Sequence, residues 1–181
     1  MRIACLGWGS LIWDPRSLPI RRRWFEDGPF VPVEFTRQSS DGRITLVVEA
    51  TATPSRVLWA VMLPTELQAA MEALRDREGI TAKDWTSRIG SWQRGDVVPR
   101  PMPELSDRAQ AHGLDAVVWT ALGPRFNGQD TSPTVDQIVG YLGTLTGATR
   151  DNAERYIRYA PSQIDTEYRR RIEADLGWSH R

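Results

Sequence analysis

The chain has 181 residues, 40% apolar and 25% charged, and its 23 basic and 23 acidic side chains cancel to a formal net charge of zero. That length is most simply one domain, residues 1–181, with room for a substantial core. Zero net charge excludes a broad electrostatic pull toward nucleic acid or a membrane surface, and no apolar run approaches the length of a bilayer span.

Arg2 to Gly7 reads as the first strand. It contains Cys5, the only cysteine, so an internal disulfide is ruled out and a buried thiol is expected. Met1-Arg2 leads straight into this strand with no secretory leader, so the expected location is cytoplasmic. Val31, Val33 and Phe35 alternate with Pro32, Glu34 and Thr36, the period of a half-buried strand. Ser39-Ser40-Asp41-Gly42 marks a turn, and Arg43 to Glu49 the returning strand of a hairpin. Val57 to Leu63 is another strand. Thr65-Glu66-Leu67-Gln68 has capping-box spacing, with Leu67, Ala70, Met71 and Leu74 on one helical face. This places Glu78 just past the helix end, on a connection.

Gly90 to Gly113, with Pro99, Pro101 and Pro103, reads as an irregular crossing or lid. Ala116-Val117-Val118-Trp119 is the last strand. Three helices follow, opened by Thr134-Val135-Asp136-Gln137, by Asp151-Asn152-Ala153-Glu154 and by Ser162. Strands followed by a run of helices make an α+β pattern. Short turns between strands argue for a mixed or antiparallel sheet, of a kind that can curl into a small β-barrel with flanking helices.

Two segments carry the chemistry. Gly7-Trp8-Gly9-Ser10-Leu11-Ile12-Trp13 interrupts an apolar strand with glycines, and such a turn lets main-chain N–H groups approach an anion or an oxyanion. Arg77-Glu78-Gly79 places an acid at a helix end. Together they resemble the gamma-glutamylcyclotransferase-like superfamily, whose members carry a Tyr-Gly-Ser-Leu-type loop after the first strand and an acid in a context like Leu-x-x-x-Glu-Gly. The longer string through Trp13 is similar to the glutathione-degrading ChaC-type branch, as is the Arg- and aromatic-rich Arg21-Arg22-Arg23-Trp24-Phe25. Here Trp8 stands where the family has tyrosine.

The resemblance implies a ligand cavity at one end of the barrel and a small γ-glutamyl substrate, glutathione among the candidates. The substrate's α-amine attacks its own γ-carbonyl, so 5-oxoproline and an amine or amino acid are released without a covalent intermediate. The enzyme then supplies restriction, proton transfer and charge stabilisation. Glu78 is the expected proton carrier. The backbone of Gly7, Trp8, Gly9, Ser10 and Leu11 is the expected substrate cradle. The leaving half would meet Arg21–Arg23, Trp85, Trp92 or the Pro99–Pro103 segment. No metal and no organic cofactor is expected, since ring closure needs neither and two histidines with one cysteine give no zinc spacing.

A Ser10, His112, Asp115 triad can be written down, but no spacing supports it. Gly7-Trp8-Gly9 lacks the third glycine of a dinucleotide fingerprint. The alternative to an enzyme is a catalytically idle module that binds a small ligand or a protein partner on the same fold. Oligomeric state is open at this level.

Overall fold

A computed structural model describes residues 1–181. In chain order the elements are β1 (Ile3–Gly7), β2 (Phe30–Gln38), β3 (Ile44–Val48), β4 (Pro54–Arg56), β5 (Leu58–Val61), α1 (Leu67–Glu78), a 3-10 turn (Trp85–Arg88), β6 (Ile89–Gln93), α2 (Leu105–Ala111), β7 (Ala116–Thr120), α3 (Val135–Thr144), α4 (Gly147–Tyr159) and α5 (Glu167–Leu176). They pack as two compact units interleaved along the chain. One comprises Met1–Gly7, Asp14–Val31 and Arg56–Leu122; the other comprises Trp8–Trp13, Pro32–Ser55 and Gly123–Arg181.

The first unit is built on a four-stranded sheet of order β5-β1-β7-β6. β1 runs antiparallel to β5, with Cys5 opposite Ala60, and parallel to β7, with Cys5 opposite Val118. Every residue of β1 is buried, as expected of a strand with neighbours on both edges and covered faces. Helix α1 packs against β6 and β7 and buries Ala70 and Leu74. The second unit carries the β2–β3 hairpin in a three-stranded sheet of order β3-β2-β4, with helices α3, α4 and α5. Ile138 and Leu142 form the buried stripe of α3, and its capping box between Thr134 and Gln137 forms as the sequence predicts. No helix is long and apolar enough to cross a membrane.

The fold is α+β, but the expected barrel does not form. The two sheets are open, of four and three strands, whereas a closed barrel with room for side chains inside takes about eight. Other corrections are local. The stretch Gly90–Gly113 is not wholly irregular: its beginning completes β6 and its later part forms α2. β6 is recruited by pairing with β7, Trp92 opposite Val117, and Trp92 is buried. α1 starts from Glu66 rather than Thr65 and has no side-chain cap. α4 starts after Thr146, a turn earlier than Asp151, and α5 after Thr166 rather than Ser162.

The start of α5 has a tertiary cause. Glu34, inside β2, is 4% exposed. Its Oε1 accepts the Phe35 N–H at 2.8 Å and the Thr166 hydroxyl at 2.5 Å, and its Oε2 accepts the Tyr168 N–H at 3.2 Å. A carboxylate on a strand thus completes the N-terminus of a helix more than 130 residues away in sequence.

Burial pushes the Glu34 carboxyl above its ordinary value, against those three hydrogen bonds. A carboxyl raised on folding binds its proton more tightly in the folded state. Its favourable contribution is therefore complete below the ordinary value of 4.5 and is lost as pH rises through the raised one. Urea unfolding at a series of pH values should show wild type losing stability relative to Glu34→Gln across that window.

Candidate active site

Glu78 is the last residue of α1, not a residue of the following connection. Gly79 takes the left-handed conformation, φ 65°, and ends the helix directly after it. The N–H groups of Gly79 and Ile80 return to Asp76 and Arg75, each at 3.1 Å. The carboxylate is held by its neighbour. Arg77 donates to Glu78 Oε1 at 2.8 Å and to the Asp14 carbonyl at 2.6 Å. The arginine side chain is 4% exposed and that of Glu78 17%. The pair's field reaches β1: burial pushes the Cys5 thiol far up, the Glu78 charge adds to this, and Arg77 opposes it.

The glycine loop follows β1 directly. Gly7 ends the strand, and Trp8 to Trp13 belong to the second unit. The loop is a tight turn in which the Ile12 N–H reaches the Gly9 carbonyl at 3.1 Å. That bond uses none of the N–H groups of Trp8, Gly9 and Leu11. Trp8 is buried, and its indole N–H donates to the Leu46 carbonyl at 3.3 Å. Leu11 is buried and Ser10 half-buried. A side chain at Gly9 would collide with the Tyr156 hydroxyl, so glycine is required there by close approach. Tyr156, from α4, accepts the Leu46 N–H on its hydroxyl at 3.3 Å and meets the edge of Trp13 with ring centroids 5.3 Å apart.

Tyr156 escaped the sequence reading. Its only signal there was an apolar position at helical spacing, which is indistinguishable from core packing. The other candidates fare unevenly. His112 ends α2, its ring 4.7 Å from Trp59 and its Nε2 3.3 Å from Asp27. Asp115 accepts the Arg2 N–H at 2.8 Å. Both are committed elsewhere and no triad assembles. Arg21, Arg22 and Arg23 are exposed, Trp92 is buried, and Trp85 is half-buried under the Arg75 guanidinium. No three metal-ligating side chains gather.

No family model and no curated protein sequence matches the chain. Solved structures do. The crystal structure of a gamma-glutamyl cyclotransferase specific to glutathione, from yeast, aligns with a TM-score of 0.54 at 14% identity, covering 99% of this chain and all of that one. Its selenomethionine-labelled form aligns at 0.51 and 14%, covering 99% and 97%. The fold is that of the gamma-glutamyl cyclotransferases. Similarity at this level is one of architecture.

On this cyclotransferase fold, two structural constraints are open to measurement. Arg77→Met strands Glu78 without its cation and the Asp14 carbonyl without its donor. It should cost about 3–5 kcal/mol, the scale for breaking a buried pair from one side, read from the urea midpoint. Gly9→Ala should cost about 1–3 kcal/mol by overpacking. In a Tyr156→Phe background, where the obstructing oxygen is gone, the cost should fall, and a double-mutant cycle measures the difference.

Proposed function

We propose that this protein is a γ-glutamyl cyclotransferase that closes the γ-glutamyl group of a small substrate to 5-oxoproline and releases an amine, amino acid or peptide. The observation that carries the reading is Glu78: a mostly buried carboxylate at a helix end, one oxygen fixed by a buried guanidinium. A solvated surface glutamate would have no such anchor. The glycine turn after β1 supplies the second requirement, main-chain N–H groups outside the turn's own hydrogen bond.

In this reading Oε2 of Glu78 takes one proton from the substrate α-ammonium. The freed amine nitrogen attacks the γ-carbonyl carbon, and the new C–N bond closes a five-membered ring. As the original amide C–N bond breaks, the ring nitrogen gives up a second proton; both protons pass to the leaving nitrogen by way of Glu78, so the amine departs as an ammonium and Glu78 is again a carboxylate. No water and no covalent enzyme intermediate enter. Attacking and attacked atoms belong to one molecule, so holding it in a bent conformation supplies much of the rate. The backbone from Gly7 to Leu11 is proposed to receive the α-carboxylate or the oxyanion, with the Ser10 hydroxyl as an added donor.

A specific observation also favours a second reading, a ligand-binding module without turnover. The Trp8 indole donates to Leu46, so the side chain in the family's tyrosine position has its only donor occupied.

Glu78→Gln keeps an amide oxygen for Arg77 but cannot carry the proton. It should fold normally and lose about 10²–10⁴-fold in rate, measured as 5-oxoproline release by mass spectrometry from a panel of γ-glutamyl compounds. Ser10→Ala should lose less, because the backbone donors stay. Turnover should also survive exhaustive chelation. Equal rates for Glu78→Gln and wild type would sink the assignment of the base, and no turnover of any panel member would favour the binding module.

A further inference from the structure

Arg43 is a cation held over Tyr156 of α4, the tyrosine whose hydroxyl packs against Gly9, and the proposed ring closure does not use it. It leaves the Ser39–Gly42 turn immediately before β3. The turn is clamped from several sides. Ser39 brings both its N–H, at 2.9 Å, and its hydroxyl, at 3.0 Å, to the Arg43 carbonyl. Tyr141, from α3, donates its hydroxyl to the Gly42 carbonyl at 2.8 Å. Gly42 itself sits at φ 84°, which favours glycine. The start of the Arg43 side chain is therefore fixed by backbone bonds rather than left to a mobile loop.

The guanidinium lies 5.5 Å from the centroid of the Tyr156 ring, the same tyrosine whose hydroxyl occupies the space a side chain at Gly9 would need. Asp41 takes the Nε edge at 2.7 Å, and the arginine side chain remains 30% exposed. The Nη groups are left for another acceptor. A planar fork with one edge anchored by an aspartate and the other open matches a carboxylate. An arginine needed only for the Asp41 pair would not have to be pinned over this ring. Resting on the cyclotransferase reading, we propose that Arg43 binds a carboxylate of the substrate and thereby selects among γ-glutamyl compounds. Two carboxylates qualify by chemistry: the α-carboxylate that every γ-glutamyl compound has, and one on the leaving half, which a γ-glutamyl amine lacks.

The test is calorimetric binding in the Glu78→Gln background, where ligands are held without turnover. The probes are γ-glutamyl methylamide, γ-glutamylalanine and glutathione. Arg43→Gln should weaken at least one of them roughly 10- to 100-fold, the scale of a lost charge-assisted hydrogen bond, with unchanged urea midpoint. Arg43→Lys, which keeps the charge but not the fork, should recover part of the loss. Loss confined to the two acid-bearing compounds places the fork on the leaving half; equal loss for all three places it on the α-carboxylate. Affinities within about twofold for all three, or no binding of any probe, would overturn the proposal. The two readings fail separately. Turnover by the Glu78 form that is indifferent to Arg43 sinks only this inference. Arg43-dependent binding with no 5-oxoproline from the Glu78 form sinks only the cyclotransferase reading.

Discussion

The guanidinium of Arg77 is the interaction on which the candidate site depends. It is buried, and a buried charge is tolerated only when paired and hydrogen-bonded. One of its bonds ties together parts of the first unit that are distant in sequence, the end of α1 and the segment beginning at Asp14, while another holds the adjacent Glu78. Asp14 is where the chain re-enters that unit after Trp8–Trp13. The other flank of the same loop is Gly7, held in the sheet by its pairing with Leu58. Both flanks of the glycine turn are thus fixed in one unit, one by ladder hydrogen bonds and one by an ion. The same ion orients Glu78. In the proposed ring closure, a carboxylate that takes and returns a proton at a set position loses little to reorganisation when its neighbour already holds it.

Close approach governs the second unit. The turn at Gly9 and the Tyr156 hydroxyl compete for one volume, and only the absence of a side chain settles it. Around that point the chain gathers aromatic and cationic groups: Trp13 edge-on to Tyr156, Phe35 beyond it at 6.4 Å, and Arg43 over the ring. An aromatic ring presents a negative face to a cation and a positive edge to another ring. Tyr156 therefore organises its neighbours through shape and quadrupole while its hydroxyl meets the Leu46 N–H. In the same unit, Glu34 shows the reverse arrangement, a buried anion satisfied by three donors rather than by a cation.

Much was legible in the sequence because the signals were local. The hairpin announces itself through alternation on either side of Ser39–Gly42. The α3 cap needs only residues three apart, and it forms as written. The glycine turn and the Arg77-Glu78-Gly79 string each lie within one short segment, and together they pointed to the fold that the solved structures share. Where local signals failed, a distant partner had decided the matter. Thr65 and Gln68 have the spacing of a cap but α1 starts without one. Ser162 was an acceptable helix start until Glu34 drew Thr166 into that place. Gly90–Gly113 looked irregular because its strand is short and its apolar residues serve a pairing with β7 that no window of sequence displays.

The sequence by itself determined the types of chemistry present: one acid at a helix terminus, one glycine turn after a strand, no disulfide and no zinc spacing. These follow from residue identity and near-neighbour spacing, which the backbone's fixed periods convert into local geometry. Only the tertiary structure decided that the sheets stay open, that Arg77 is buried against Asp14 and Glu78, and that Tyr156 and Arg43 gather at the glycine turn. Those outcomes depend on which side chains exclude water together and which charges must then be paired, and burial is a property of the packed chain rather than of any segment.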